Sequence, residues 1–123
     1  MFQEYESSGK HMICDFKGIN NVQLLNSLTD LKDLLREICK TNDFNILNEV
    51  EHQFFPIGCS VLFLLSESHL SIHTFPEKNH ISFDIYTCRQ YSDDTFYNEI
   101  FKNLSNKLQA SLESTCKIID RHF

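Results

Sequence analysis

Hydrophobic positions along the chain change period several times, and each change marks an element. His11 to Phe16 predicts a short strand, and Gly18-Ile19-Asn20-Asn21 a turn. From Val22 onward, Leu24, Leu28, Leu31, Leu35 and Ile38 follow at steps of four and three. That spacing lays an apolar stripe along a helix, with Asp30, Lys32, Asp33 and Arg36 toward water. Thr41-Asn42-Asp43 closes it. Ile46 to Phe55 and Ser60 to Leu65 predict two strands separated by Pro56-Ile57-Gly58. His69 to Phe75 alternates, with Leu70 and Ile72 on one face and Ser71 and His73 on the other. Ile81 to Cys88 does the same, with Ile81, Phe83 and Ile85 opposed to Ser82, Asp84, Tyr86 and Cys88. Ser92-Asp93-Asp94 offers helix-capping side chains ahead of a second stripe of Tyr97, Ile100, Phe101, Leu104 and Leu108. Thr115 to Asp120 predicts a last strand.

The order is β-α-β-β-β-β-α-β. Four central strands joined by short turns imply an antiparallel sheet, and two amphipathic helices can cover only one of its faces. The expected fold is therefore α/β of the α+β kind, a two-layer sandwich forming one domain over residues 1–123. The other sheet face carries Ser71, His73, Ser82, Asp84 and Cys88, so it is solvated, covered by a partner, or a site.

Composition narrows the classes. A net charge of -6 argues against a nucleic-acid binder, which needs a basic face. The longest strongly apolar stretch, Val61 to Leu65, is far short of the roughly 20 residues of a membrane span. Met1 to Lys10 contains Glu4 and Glu6 and no apolar run, unlike a secretory signal. The five cysteines, 14, 39, 59, 88 and 116, are odd in number and form no CxxC, so reduced thiols and a cytoplasmic location are expected.

Chemistry concentrates in Ser66-Glu67-Ser68-His69-Leu70-Ser71-Ile72-His73-Thr74-Phe75-Pro76-Glu77. A serine hydrolase is disfavoured, because no G-x-S-x-G elbow surrounds Ser68. His69, His73 and Glu77 have metal-ligand spacing only on a helix, whereas the alternation and Pro76 predict a strand, so no metal is expected.

This segment resembles the processing site of the prokaryotic type of S-adenosylmethionine decarboxylase, a pyruvoyl-dependent family with the pattern S-E-S-H-L-T-I-H-T-W-P-E followed by a strand ending D-x-x-T-C. Here Phe75 replaces the tryptophan, Ser71 a threonine, and Asp84-Ile85-Tyr86-Thr87-Cys88 follows. Gly9-Lys10-His11-Met12-Ile13 is similar to the family's opening strand, and His52-Gln53-Phe54-Phe55-Pro56-Ile57-Gly58 to its H-x-F-x-P-x-G segment. The likeness runs over roughly residues 9 to 95, in order.

The resemblance implies self-cleavage between Glu67 and Ser68, giving a β chain of 1–67 and an α chain of 68–123. Ser68 would become a pyruvoyl group that forms a Schiff base with the substrate amine, with neither pyridoxal phosphate nor metal. By the same resemblance His73 takes a proton during cleavage, Ser60 assists, and Cys88 protonates the substrate carbon after CO2 leaves. Phe54 matches an aromatic that stacks on adenine, and Glu77 an acid that holds the ribose hydroxyls. The implied activity is decarboxylation of S-adenosylmethionine for spermidine synthesis. The implied assembly is a homodimer of processed protomers with sites near the interface.

The chain departs from the family pattern at Val61, Lys78, Asn79 and Arg89, which keeps a pyruvoyl arginine or ornithine decarboxylase as an alternative. An unprocessed, non-catalytic homologue is a third reading, disfavoured by retention of Ser68, His73 and Cys88. One geometric conflict is already visible. Ser68 and His73 are five residues apart, so strict strand alternation puts them on opposite faces unless residues 66 to 69 form a turn or bulge.

Overall fold

The computed structural model describes residues 9–122; Glu4 and Glu6 lie outside the described residues, as do the ends of the predicted 1–123 domain. Six strands and two helices occur in the predicted order: β1 (Gly9–Phe16), α1 (Leu28–Thr41), β2 (Ile46–Gln53), β3 (Cys59–Leu65), β4 (Ser68–Phe75), β5 (His80–Thr87), α2 (Thr95–Leu108) and β6 (Thr115–Arg121). The strands form one sheet of order β2-β3-β4-β5-β1-β6, and every neighbouring pair is antiparallel. The two-layer α+β sandwich is therefore the observed fold.

Boundaries differ from the periodicity where local hydrogen bonds compete with it. The predicted first helix is broken: Val22–Leu25 is a separate 3-10 turn, and α1 starts only at Leu28. The cause is Ser27, whose side chain accepts a hydrogen bond from the Asp30 amide (3.3 Å) and caps the helix there. At α2, Asp93 accepts from the Thr95 amide (2.9 Å), while the N-cap residue Asp94 turns its carboxylate to Lys10 Nζ on β1 (2.5 Å). β2 stops at Gln53 rather than Phe55.

The core lies between the helices and one sheet face. Leu31, Leu35 and Ile38 of α1 and Tyr97, Leu104 and Leu108 of α2 meet Met12, Phe16, Val61, Phe63, Leu70, Ile72, Ile81 and Ile85 of the strands. Burial of such side chains supplies roughly 1.5–3 kcal/mol each and drives the layers together. Among the described residues no helix is long and apolar enough to cross a membrane.

Among the described residues, no helix lies on the other face. Cross-strand rows run over it: Val50-Leu62-Ser71-Asp84-Ile13, Asn48-Leu64-His69-Tyr86-His11-Ile119, and His52-Ser60-His73-Ser82-Asp15. Polar groups fill the middle, while Val50, Leu62, Leu64, Ile13 and Ile119 are exposed apolar residues around them.

Near the end of β5, Thr87 Oγ1 and Tyr97 Oη share a 2.7 Å hydrogen bond, and both residues are fully buried. Removing one hydroxyl strands the other in the core. Tyr97→Phe is expected to lower stability by about 1–3 kcal/mol, read as a lower urea midpoint. Adding Thr87→Val should give back most of that loss, and a loss that simply sums across the pair would contradict the coupling.

Candidate active site

β3 and β4 form a hairpin whose two-residue turn is Ser66-Glu67, and Ser68 is the first residue of β4. Ser68 is paired with Leu65 on one side and Thr87 on the other. It is 7% exposed, and its hydroxyl has no hydrogen-bond partner, one of two such buried side-chain groups among the described residues. The turn or bulge over residues 66 to 69 that a Ser68–His73 pairing would require is not formed: the turn covers only 66 and 67, and Ser68 and His69 are already paired in β4. Ser68 keeps the inward phase of Leu70 and Ile72, and His73 faces outward. Five residues of strand also separate them by about 16 Å.

His73 meets a different predicted residue. It pairs with Ser60 across β3 and β4, and Ser60 Oγ lies 2.6 Å from His73 Nδ1. When Nδ1–H donates to the serine oxygen, Nε2 keeps a free lone pair, the state a proton acceptor requires.

Ser60 and His73 line a cleft of about 340 Å³ together with Phe54, Ile57, Gly58, Thr74, Phe75 and Glu77. Both predicted ligand-contact residues are thus in one concavity with the serine–histidine pair. Gly58 holds a φ of 107°, which side-chain-bearing residues rarely adopt, as the chain returns into β3. Phe54 is half exposed, with its ring 4.7 Å from that of His52. The sequence assigns no role in a site to Ile57, Thr74 or Phe75. Only strand pairing and the return of the 54–58 loop bring them in.

Cys88 lies at the opposite end of the sheet, just beyond Thr87. It is exposed, and its thiol is 3.5 Å from the Tyr86 hydroxyl, to which it donates. The other four cysteines are buried or half-buried. Burial pushes the thiols of Cys14, Cys39, Cys59 and Cys116 up, Cys39 to about 11.

Between the two ends, the open face carries a polar network. His11 Nε2 is 2.5 Å from Asp84 Oδ2, Ser71 Oγ donates to Asp84 Oδ1, and the rings of His11 and His69 stand 5.9 and 5.7 Å from that of Tyr86. His11, His69 and Asp84 bring three potential ligand atoms within 4.8 Å of one another. The His11–Asp84 spacing is that of a hydrogen bond, however; two ligands on one ion lie about 3 Å apart. The trio weighed from sequence does not converge, since His69 and His73 are about 13 Å apart along β4.

The fold class that carries these groups is a two-layer α+β sandwich with one antiparallel sheet. A family model described as S-adenosylmethionine decarboxylase matches residues 10–122, and the chain belongs to that family. It is 45% identical over 85 residues to an S-adenosylmethionine decarboxylase proenzyme 2 of Bacillus cereus, a match that covers 69% of this chain and 68% of that one. It is 37% identical over 86 residues to the S-adenosylmethionine decarboxylase proenzyme of Clostridium botulinum (strain Hall), covering 70% and 73%. The crystal structure of the adenosylmethionine decarboxylase from Aquifex aeolicus VF5 superposes with a TM-score of 0.82 over 97% of this chain and 94% of that one, at 24% identity, and so shares its fold.

Exposure separates Cys88 from the other thiols. Iodoacetamide at pH 8 is expected to label Cys88 at least about tenfold faster than any other cysteine in the native protein. Peptide mass spectrometry over a time course checks this, and equal labelling of a core cysteine would contradict the burial pattern.

Proposed function

We propose that the chain cuts itself between Glu67 and Ser68, into a β chain of 1–67 and an α chain of 68–123, and then decarboxylates S-adenosylmethionine, the product feeding spermidine synthesis. The observation that carries this reading is the buried Ser68 hydroxyl without a partner at the end of the hairpin turn. A buried hydroxyl left unpaired costs about 1–3 kcal/mol, so serines of this kind normally find a neighbour. A residue destined to become a ketone has no hydroxyl proton to place. Position 68 therefore fits a pyruvoyl group.

Cleavage needs only the chain's own atoms and one water. The Ser68 oxygen adds to the Glu67 carbonyl carbon, the peptide C–N bond breaks, and the hydroxyl proton passes to nitrogen, leaving an ester. Removal of the Ser68 Cα proton then breaks the Cβ–O bond, and Glu67 departs as a carboxylate. The enamine left behind tautomerises to an imine, and water replaces its nitrogen, which leaves as ammonia. We assign the Cα proton to His73, whose Nδ1 is held by Ser60.

A pyruvoyl group supplies an electron sink for the carbon that loses CO2, which no ordinary side chain offers. The chain's own residues then bind and protonate. Phe54 presents a half-exposed ring for stacking on adenine, and Glu77 a carboxylate in the same cleft to accept from ribose hydroxyls. Cys88 is the proton donor to the substrate carbon. The names of the relatives favour S-adenosylmethionine over arginine or ornithine. The five free cysteines are in keeping with a reducing compartment such as the cytoplasm.

One protomer keeps these groups at two ends of its sheet, so we infer a symmetric homodimer packed through the open faces. The point midway between Ser68 and His73 falls between Leu70 and Ser71 of β4. A two-fold axis crossing the strand there would bring the Ser68 end of one protomer to the His73 end of its partner. The exposed Ile13, Leu62, Leu64 and Ile119 supply apolar area for such packing.

Intact mass of the mature protein should show two chains divided after Glu67, and labelled CO2 should be released from S-adenosylmethionine but not from arginine or ornithine. Ser68→Ala should stay whole and inactive; a decarboxylating Ser68→Ala sinks the proposal. The shared site has its own check. Ser68→Ala and His73→Ala chains, each uncut alone, should yield cleavage of the His73→Ala chain when co-expressed. Failure of that rescue in a confirmed mixed dimer would place both residues' roles within one protomer.

A further inference from the structure

Arg89, one of the departures from the family pattern, follows Cys88 just beyond the end of β5. Its side chain is held from several sides. Nη1 donates to the Asn42 carbonyl (3.0 Å), Nη2 donates to the Asp43 carbonyl, and the guanidinium lies 4.5 Å from the centre of the Phe44 ring. Its remaining edge, Nε, donates to Glu67 Oε1 at 3.2 Å. The neighbouring turn residue is tied to the same loop: Ser66 N donates to the Asn45 carbonyl (3.1 Å), and Asn45 Nδ2 donates to Ser66 Oγ (2.9 Å). Both residues of the hairpin turn are thus moored to residues 42–45, Ser66 through Asn45 and Glu67 through Arg89.

We propose that Arg89 is a positioning residue for self-cleavage, clamping the Glu67 carboxylate and thereby orienting the Glu67 carbonyl that the Ser68 hydroxyl attacks. The inference rests on Glu67–Ser68 being the cleaved bond. Three features support it. Arginine presents its donors in a planar fork, so a guanidinium already anchored by two carbonyls and a ring meets a carboxylate with little further ordering. Glu67 sits in a two-residue turn, where fixing the side chain limits rotation of its own peptide groups. Attack by a neighbouring hydroxyl gains most from a carbonyl held near the approach geometry. The bonds that form and break belong to Glu67 and Ser68, and Arg89 acts only through the Glu67 side chain, so the clamp adjusts a rate and is not an absolute requirement.

The experiment follows cleavage of freshly translated full-length chain by intact mass over time. Wild type is compared with Arg89→Gly, Arg89→Lys, Glu67→Gln and the Arg89→Gly/Glu67→Gln double variant. Arg89→Gly and Glu67→Gln are each expected to slow cleavage about fivefold, the size of a partly exposed charge-assisted hydrogen bond. The double variant should be no slower than Arg89→Gly alone, and Arg89→Lys should recover part of the rate. Equal slowing by Arg89→Gly with and without Glu67→Gln would assign Arg89 to loop anchoring and overturn the clamp. Glu67→Gln keeps every loop contact of Arg89, so cleavage of that variant at the wild-type rate overturns the clamp even if Arg89→Gly fails to fold. A wild-type chain that never divides overturns the cleavage reading itself, and the clamp with it.

Discussion

The register that locks β4 between β3 and β5 governs the chemistry of this protein. Each β4 residue is held by antiparallel pairing on both sides, so inward and outward positions cannot be exchanged without turning Leu70 and Ile72 into water. Ser68 is thereby committed to the helix-covered side at one end of the strand, and His73 to the open side near the other. The same register places Ser60 opposite His73, which sets up a serine–histidine pair at one end, and Thr87 opposite Ser68 at the other.

This division accounts for the character of the uncovered face. A sheet surface destined only for water has no need of a ring of exposed Val50, Leu62, Leu64, Ile13 and Ile119 around a histidine–aspartate–tyrosine centre. His11 and Ser71 satisfy the Asp84 carboxylate, so its charge is partnered within the protomer. The face thus combines apolar area with a polar centre whose hydrogen bonds are largely made internally, and it is this face that the proposed homodimer would pack.

The elements were legible because hydrophobic period and turn chemistry agree through most of the chain. The alternation in β4 and β5 and the stripe of α2 were readable directly. The break before α1 was not, because the apolar stripe runs through it and only the Ser27 cap, a local hydrogen bond, decides where the helix begins. The site was legible as residue types, through motifs shared with a family. Its grouping was not. Phe54, Ser60, His73 and Glu77 converge on one cleft, while Ser68 and Cys88 stand apart from it. The tie between Arg89 and Glu67 spans 22 positions and follows no period, so no pattern along the chain could announce it.

Sequence alone determined the strand and helix periods, the single helix-covered face, and the presence of Ser68, His73 and Cys88 in recognisable order. These follow from side-chain spacing, which a linear pattern records. Tertiary structure decided which of those residues meet, that the Ser68 hydroxyl is left without a partner, and that a loop from α1 to β2 moors the hairpin turn. Such facts depend on strand order and on contacts between segments far apart in the chain, and no local period encodes them.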